Sequence, residues 1–152
     1  VAIGCLLPSI FLLWVSGLLD VLDGTVARLT NRTSKSGAYM DLILDRMVEA
    51  AYILGFACRL PQGYYAYLLF YIAVIFNFTT FMVAGALFPN NSSKSMHYDV
   101  GIAERTETFL VFTLLSLFPA HLSPILLIFD GIIFITGIIR FKRVLTYSRS
   151  LQ

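Results

Sequence analysis

Residues 63–88 read GYYAYLLFYIAVIFNFTTFMVAGALF, and nothing in that run carries a charge. The hydrocarbon core of a bilayer is about 30 Å thick, so a helix that crosses it needs about 20 mostly apolar residues. The run meets that length. It lacks the alternating ten-residue pattern, with turns between, that marks membrane strands. Four more stretches on either side have the same character: Val1 to about Leu22, about Gly37 to Cys58, about Ile102 to Phe118, and Leu122 to about Ile139. Asp41, Asp45, Arg46 and Glu49 interrupt the second of these. Pro61, Pro89, Pro119 and Pro124 lie at segment edges, where proline disturbs a helix least. The predicted fold class is all-α: a polytopic transmembrane helical bundle with five helices visible, forming one domain over residues 1–152.

Composition agrees. The chain has 152 residues, of which 58% are hydrophobic and only 13% charged. Its mean hydropathy is +0.80. Soluble chains carry about 25% charged residues. Disordered chains, disulfide-stapled miniproteins and basic nucleic-acid-binding domains are therefore excluded. The net charge of +2 supplies no field to draw in a polyanion, so no nucleic-acid partner is expected. Cys5 and Cys58 lie in apolar runs without metal-ligand spacing and read as small hydrophobes.

Lys and Arg divide unequally between the two sides. Arg28, Arg32, Lys35, Arg46, Lys94, Arg105, Arg140, Lys142, Arg143 and Arg149 fall on one side, and Arg59 alone on the other. The positive-inside rule puts the Thr30–Ser36 loop, the Asn90–Gly101 loop and the C-terminus in the cytoplasm. The expected protein is integral and multi-pass, in contact with membrane lipid, with the basic tail resting on anionic head groups.

The acidic residues gather in that cytoplasmic half. Asp20 and Asp23 are spaced i, i+3 at the end of the first segment, and Gly37, Asp41 and Asp45 form an i, i+4, i+8 stripe on the second. Carboxylates at membrane depth cost a few kcal/mol each, so their convergence points to function. Like charges in one small site need compensation, which a divalent cation supplies better than Arg28 and Arg46 alone. Oxygen ligands without His or Cys favour Mg²⁺, Mn²⁺ or Ca²⁺ over zinc. Gly24 and Gly37 permit close approach of a ligand to the backbone. Arg28 suits a phosphate oxygen. Together these groups describe a diphosphate site at the membrane–cytoplasm boundary.

The stretch Asp20-Val-Leu-Asp23-Gly24-Thr-Val-Ala27-Arg28, eight residues, Gly37-Ala-Tyr-Met-Asp41-Leu-Ile-Leu-Asp45 resembles the signature of the CDP-alcohol phosphotransferase (CDP-alcohol phosphatidyltransferase) family, D-x2-D-G-x2-A-R-x8-G-x3-D-x3-D. All eight fixed positions are present at their proper spacing. The resemblance implies a six-helix fold with the signature on the second and third helices. Here it spans the first and second visible segments, so a first helix is expected to be missing and the chain to be N-terminally truncated. The implied reaction belongs to phospholipid biosynthesis. A CDP-linked lipid such as CDP-diacylglycerol gives its phosphatidyl group to the hydroxyl of an acceptor alcohol, and CMP leaves. Carried over by position, Asp20, Asp23, Asp41 and Asp45 bind two ions of Mg²⁺ or Mn²⁺, and Asp45 is also the general base. Asp20, Gly24, Ala27, Arg28 and Gly37 hold the CDP donor. A homodimer is expected on the same ground.

The acceptor is a small polar alcohol. Lys94 and Arg105 are candidate acceptor-binding residues, beside Gly101-Ile-Ala-Glu104-Arg105-Thr-Glu107-Thr108. That stretch resembles the Glu-Arg-x-Glu-Arg element of inositol-phosphate-using members, with Thr108 in place of the last arginine. Glycerol 3-phosphate, inositol phosphate and serine all stay open. Asp130, in the middle of the last segment, has three readings: paired across helices, protonated, or lining a lipid groove. Tyr64, Tyr65, Tyr67 and Tyr71 read as an interfacial aromatic belt. The competing function is a non-enzymatic or transporter-like membrane protein with an acidic ion site.

Overall fold

The computed structural model describes residues 3–30, 34–88 and 105–150. Five α-helices account for nearly all of them: α1 Ile3–Leu29, α2 Lys35–Arg59, α3 Tyr64–Leu87, α4 Arg105–Leu117 and α5 Leu122–Ser150. No strand occurs among the described residues. One-turn 3-10 helices, Pro61–Gly63 and Pro119–His121, join α2 to α3 and α4 to α5. Proline occupies the first position of each, where its missing N–H is no loss.

The helices outrun the apolar segments read from sequence. α1 was expected to end near Leu22 but continues to Leu29, so Asp20, Asp23 and Gly24 all stand on it. One glycine weakens a helix by about 1 kcal/mol and does not end it. α5 passes Ile139 and carries the basic tail on its last three turns. At 29 residues it is about 43 Å long, more than a bilayer core requires. Three stretches are long and apolar enough to cross a membrane: Pro8–Val26, Pro61–Leu87 and Pro119–Arg149. This is an integral membrane protein. α2 falls short of that test because its charges interrupt the apolar run, and the described part of α4 is only 13 residues long.

α3 and α5 form the closest pair and run parallel. Gly63 lies against Leu122, the Phe76 ring lies 5.0 Å from that of Phe134, and Phe88 meets Tyr147. Helices in lipid gain little from hydrophobic association, so small residues that let backbones approach decide the contact. Ala66 and Ala73 supply that on α3, and Gly137 on α5. A Cβ at Gly137 would stand 2.7 Å from the Phe76 ring and 3.3 Å from the Asn77 Cα. Further along the pair, the Arg140 guanidinium donates to Asn77 Oδ1 at 2.7 Å and lies over the Phe81 ring. α4 returns antiparallel and contributes Phe112 and Leu115 to the core beside Ile53, Phe70 and Leu126. α5 is the most enclosed of the three spans and α1 the least, so α1 shows lipid a broad face of Phe11, Leu12, Leu18, Val21 and Val26.

Two of the four tyrosines depart from the belt reading. Tyr64 and Tyr65 are exposed, as a belt requires. Tyr67 is buried with its hydroxyl on the Leu60 carbonyl, and the Tyr71 hydroxyl donates to the Ala50 carbonyl, so both clasp α2 to α3. Asp130 is 5% exposed, and neither carboxylate oxygen has a hydrogen-bond partner among the described residues.

Candidate metal centre

The site forms where the C-terminal end of α1 meets the start of α2. Ser34 caps α2: its backbone is extended, and its Oγ accepts from the Gly37 N–H at 3.0 Å. That cap starts the helix nearly two turns before Asp41. Gly37 thus lies in the first turn, with the stripe Asp41, Asp45 following at one-turn intervals. On α1, Thr25 and Thr30 return their hydroxyls to the carbonyls four residues back and leave the helix unbroken through the signature.

These two helices bring three carboxylates together. One oxygen from each of Asp20, Asp41 and Asp45 lies within 4.8 Å of the others. Asp41 is exposed, and Asp20 and Asp45 are half-buried. Asp23, the fourth expected ligand, is exposed on α1 three residues beyond Asp20 and is not part of this triplet. Gly24 is half-buried beside it. Ala27 and Arg28 lie on the last turn of α1, placed by their backbone alone. Arg105 opens α4 on the same terms, and Lys94 and Glu104 lie outside the described residues.

Three carboxylates this close repel unless a cation joins them. The donor set is all oxygen, reachable by solvent on the Asp41 side, without nitrogen or sulfur. That chemistry fits a hard divalent ion such as Mg²⁺ or Mn²⁺. The Arg46 Nη2 is bonded to Glu49 at 2.7 Å, and its guanidinium lies over the Phe78 ring.

One residue near the site was passed over in the sequence. Glu49 read as one of four charges interrupting a span, yet it is 5% exposed and extends the Asp41–Asp45 stripe by one more turn into the bundle. Its i, i+4 spacing from Asp45 was the available signal. Thr108 is buried at the start of α4, on the face that continues through Phe112 and Leu115. Gly17, one turn inward from Asp20, lets α1 seat on α4: a Cβ there would stand 2.6 Å from the Phe109 ring.

Comparison with known proteins shows the family. The model of the CDP-alcohol phosphatidyltransferase family matches residues 3–141. The chain is 31% identical to Inner membrane protein YnjF of Escherichia coli, over 99% of this chain and 77% of that protein. It is 31% identical to an archaetidylinositol phosphate synthase of Pyrococcus horikoshii, over 72% of this chain and 55% of that protein. It is also 31% identical to a bifunctional IPC transferase and DIPP synthase of Aquifex aeolicus, over 69% of this chain but 26% of that protein. No solved structure matches it. With the signature intact, its two halves on facing helix ends and its carboxylates gathered, the chain belongs to the CDP-alcohol phosphatidyltransferase family.

Proposed function

We propose that this chain transfers a phosphatidyl group from a CDP-linked lipid, such as CDP-diacylglycerol, to the hydroxyl of a small polar alcohol and releases CMP. The observation that carries the reading is the meeting of Asp20, Asp41 and Asp45 within 4.8 Å, on the helices that hold the intact signature. Asp20, Asp41 and Asp45, with Asp23 beside them, would hold Mg²⁺ or Mn²⁺. A bound divalent ion neutralises the diphosphate and stabilises the departing CMP.

The chain's own residues do the rest. Gly24, Ala27 and Gly37 leave room for the cytidine and ribose, and Arg28 contacts the donor's phosphates. Asp45 takes the proton of the acceptor hydroxyl as its oxygen bonds to the lipid phosphorus. The phosphorus–oxygen bond to CMP then breaks. General base catalysis of this kind contributes about 10²–10⁴-fold. Lys94 and Arg105 draw in the acceptor. The working face is cytoplasmic and the unit a homodimer, which crosslinking in native membranes tests.

The deciding experiment is an acceptor screen. Purified protein, labelled CDP-diacylglycerol and Mn²⁺ or Mg²⁺ are offered inositol phosphate, glycerol 3-phosphate, serine and inositol in turn, and CMP is measured. Inositol phosphate heads the series because archaetidylinositol phosphate synthases are among the relatives. Metal-dependent CMP release with one acceptor is expected. Its absence with every acceptor favours the non-enzymatic, ion-site reading.

A further inference from the structure

The two helices that carry the aspartates have different chief packing partners. α1 lies chiefly on α4, through Gly17 against Phe109 and the Trp14 Nε1 donating to Thr113 Oγ1 at 3.1 Å. α2 lies chiefly on α3. The relative height of Asp20 and Asp45 is therefore set by whatever ties α2 to α1 and α4.

Tyr52 of α2 makes that tie. Its ring stacks on Phe112 of α4, with centroids 4.9 Å apart and planes 2° from parallel. Its hydroxyl is 2.8 Å from Ser116 Oγ of α4 and 3.4 Å from Ser9 Oγ of α1. Ser116 donates its own proton to the Phe112 carbonyl at 2.9 Å. The Ser116 oxygen is then the acceptor for Tyr52, and Ser9 approaches the Tyr52 oxygen from the α1 side. The three hydroxyls line up across three helices. Tyr52 stands two turns from Asp45 on the same face of α2, and Ser9 three turns from Asp20 on the same face of α1. Helices transmit a fixed register over such distances, about 10 Å and 16 Å here.

We propose that the Tyr52 hydroxyl is a positioning group for the carboxylate centre: bridging Ser9 and Ser116, it holds α1 and α2 at the register in which Asp20 meets Asp41 and Asp45. This rests on the centre being a metal site, so metal binding is measured directly. Mn²⁺ affinity of the detergent-solubilised chain is read by electron paramagnetic resonance, alongside Tm. Tyr52→Phe keeps the stack and loses only the hydroxyl. It is expected to weaken Mn²⁺ binding roughly three- to tenfold, the equivalent of one hydrogen bond, with Tm lowered by no more than about 4 °C, as in Tyr71→Phe below. Ser116→Ala is expected to do the same, and the double variant no more than either alone. Tyr71→Phe, which loses only an α2–α3 bond to the Ala50 carbonyl, is expected to bind as the wild type does. Unchanged affinity in both Tyr52→Phe and Ser116→Ala, or an equal loss in Tyr71→Phe, overturns the proposal. Wild-type protein that binds no Mn²⁺ ends the metal site itself, and this proposal with it.

Discussion

Asp45 and Asp23 separate the tasks within the carboxylate group. Asp45 lies in the triplet and is half-buried, whereas Asp23 is exposed and outside it. A carboxylate that both touches metal and takes a proton loses mainly the second task when made an amide, because the amide oxygen still coordinates. Asp45→Asn is therefore expected to keep Mn²⁺ and CDP-lipid binding while CMP release falls by at least about 10²-fold. Near-normal turnover would remove Asp45 as the base. Asp23→Ala, which leaves no side-chain oxygen to coordinate, is expected to lose affinity instead: the Mn²⁺ concentration for half-maximal rate rises by about tenfold or more. A wild-type metal titration in that variant would show that the three gathered aspartates suffice.

The helices show what the sequence disclosed and what it withheld. The signature predicted that Asp20 and the Asp41–Asp45 stripe would converge, because i, i+4 spacing fixes a face once the helix is known. It did not disclose that Asp23 would stand outside the triplet, since two residues three apart share a side only approximately. Hydropathy found all five helices but not their ends, because α1 and α5 continue as helix after they cease to be apolar. The pairing of Arg46 with the buried Glu49 depends on packing that no spacing encodes. Asp130 was left with three readings, and the structure removes the first among the described residues by giving it no partner. A buried polar group without a hydrogen bond costs about 1–3 kcal/mol. Leucine has the same branching as aspartate. Asp130→Leu is thus expected to raise Tm by roughly 3 °C or more in detergent. A fall in Tm would mean that Asp130 is paired in the folded membrane protein.

The bundle as a whole is uneven. α3 and α5 are closely packed over their length, whereas α1 exposes most of its apolar surface. The centre is thus built at the less tightly packed side of the molecule, held against a firm α3–α5 pair by α4. Charge gives the expectation for its side of the membrane. Lys35 and Arg46 on α2, and Arg140, Lys142 and Arg143 on α5, share the end of the bundle that carries the aspartates, while Arg59 stands at the other. Cys58, a free and exposed thiol next to Arg59, marks the far end. In right-side-out vesicles, a membrane-impermeant maleimide is expected to label Cys58 without permeabilisation. In a background with Cys5→Ser and Cys58→Ser, Ser36→Cys places a thiol two residues past the Ser34 cap, and it is expected to react only after the vesicles are opened. Reversed labelling would put the carboxylates on the outer face. The charge asymmetry, not the signature, would then be at fault, because the three aspartates meet whichever way the bundle is inserted.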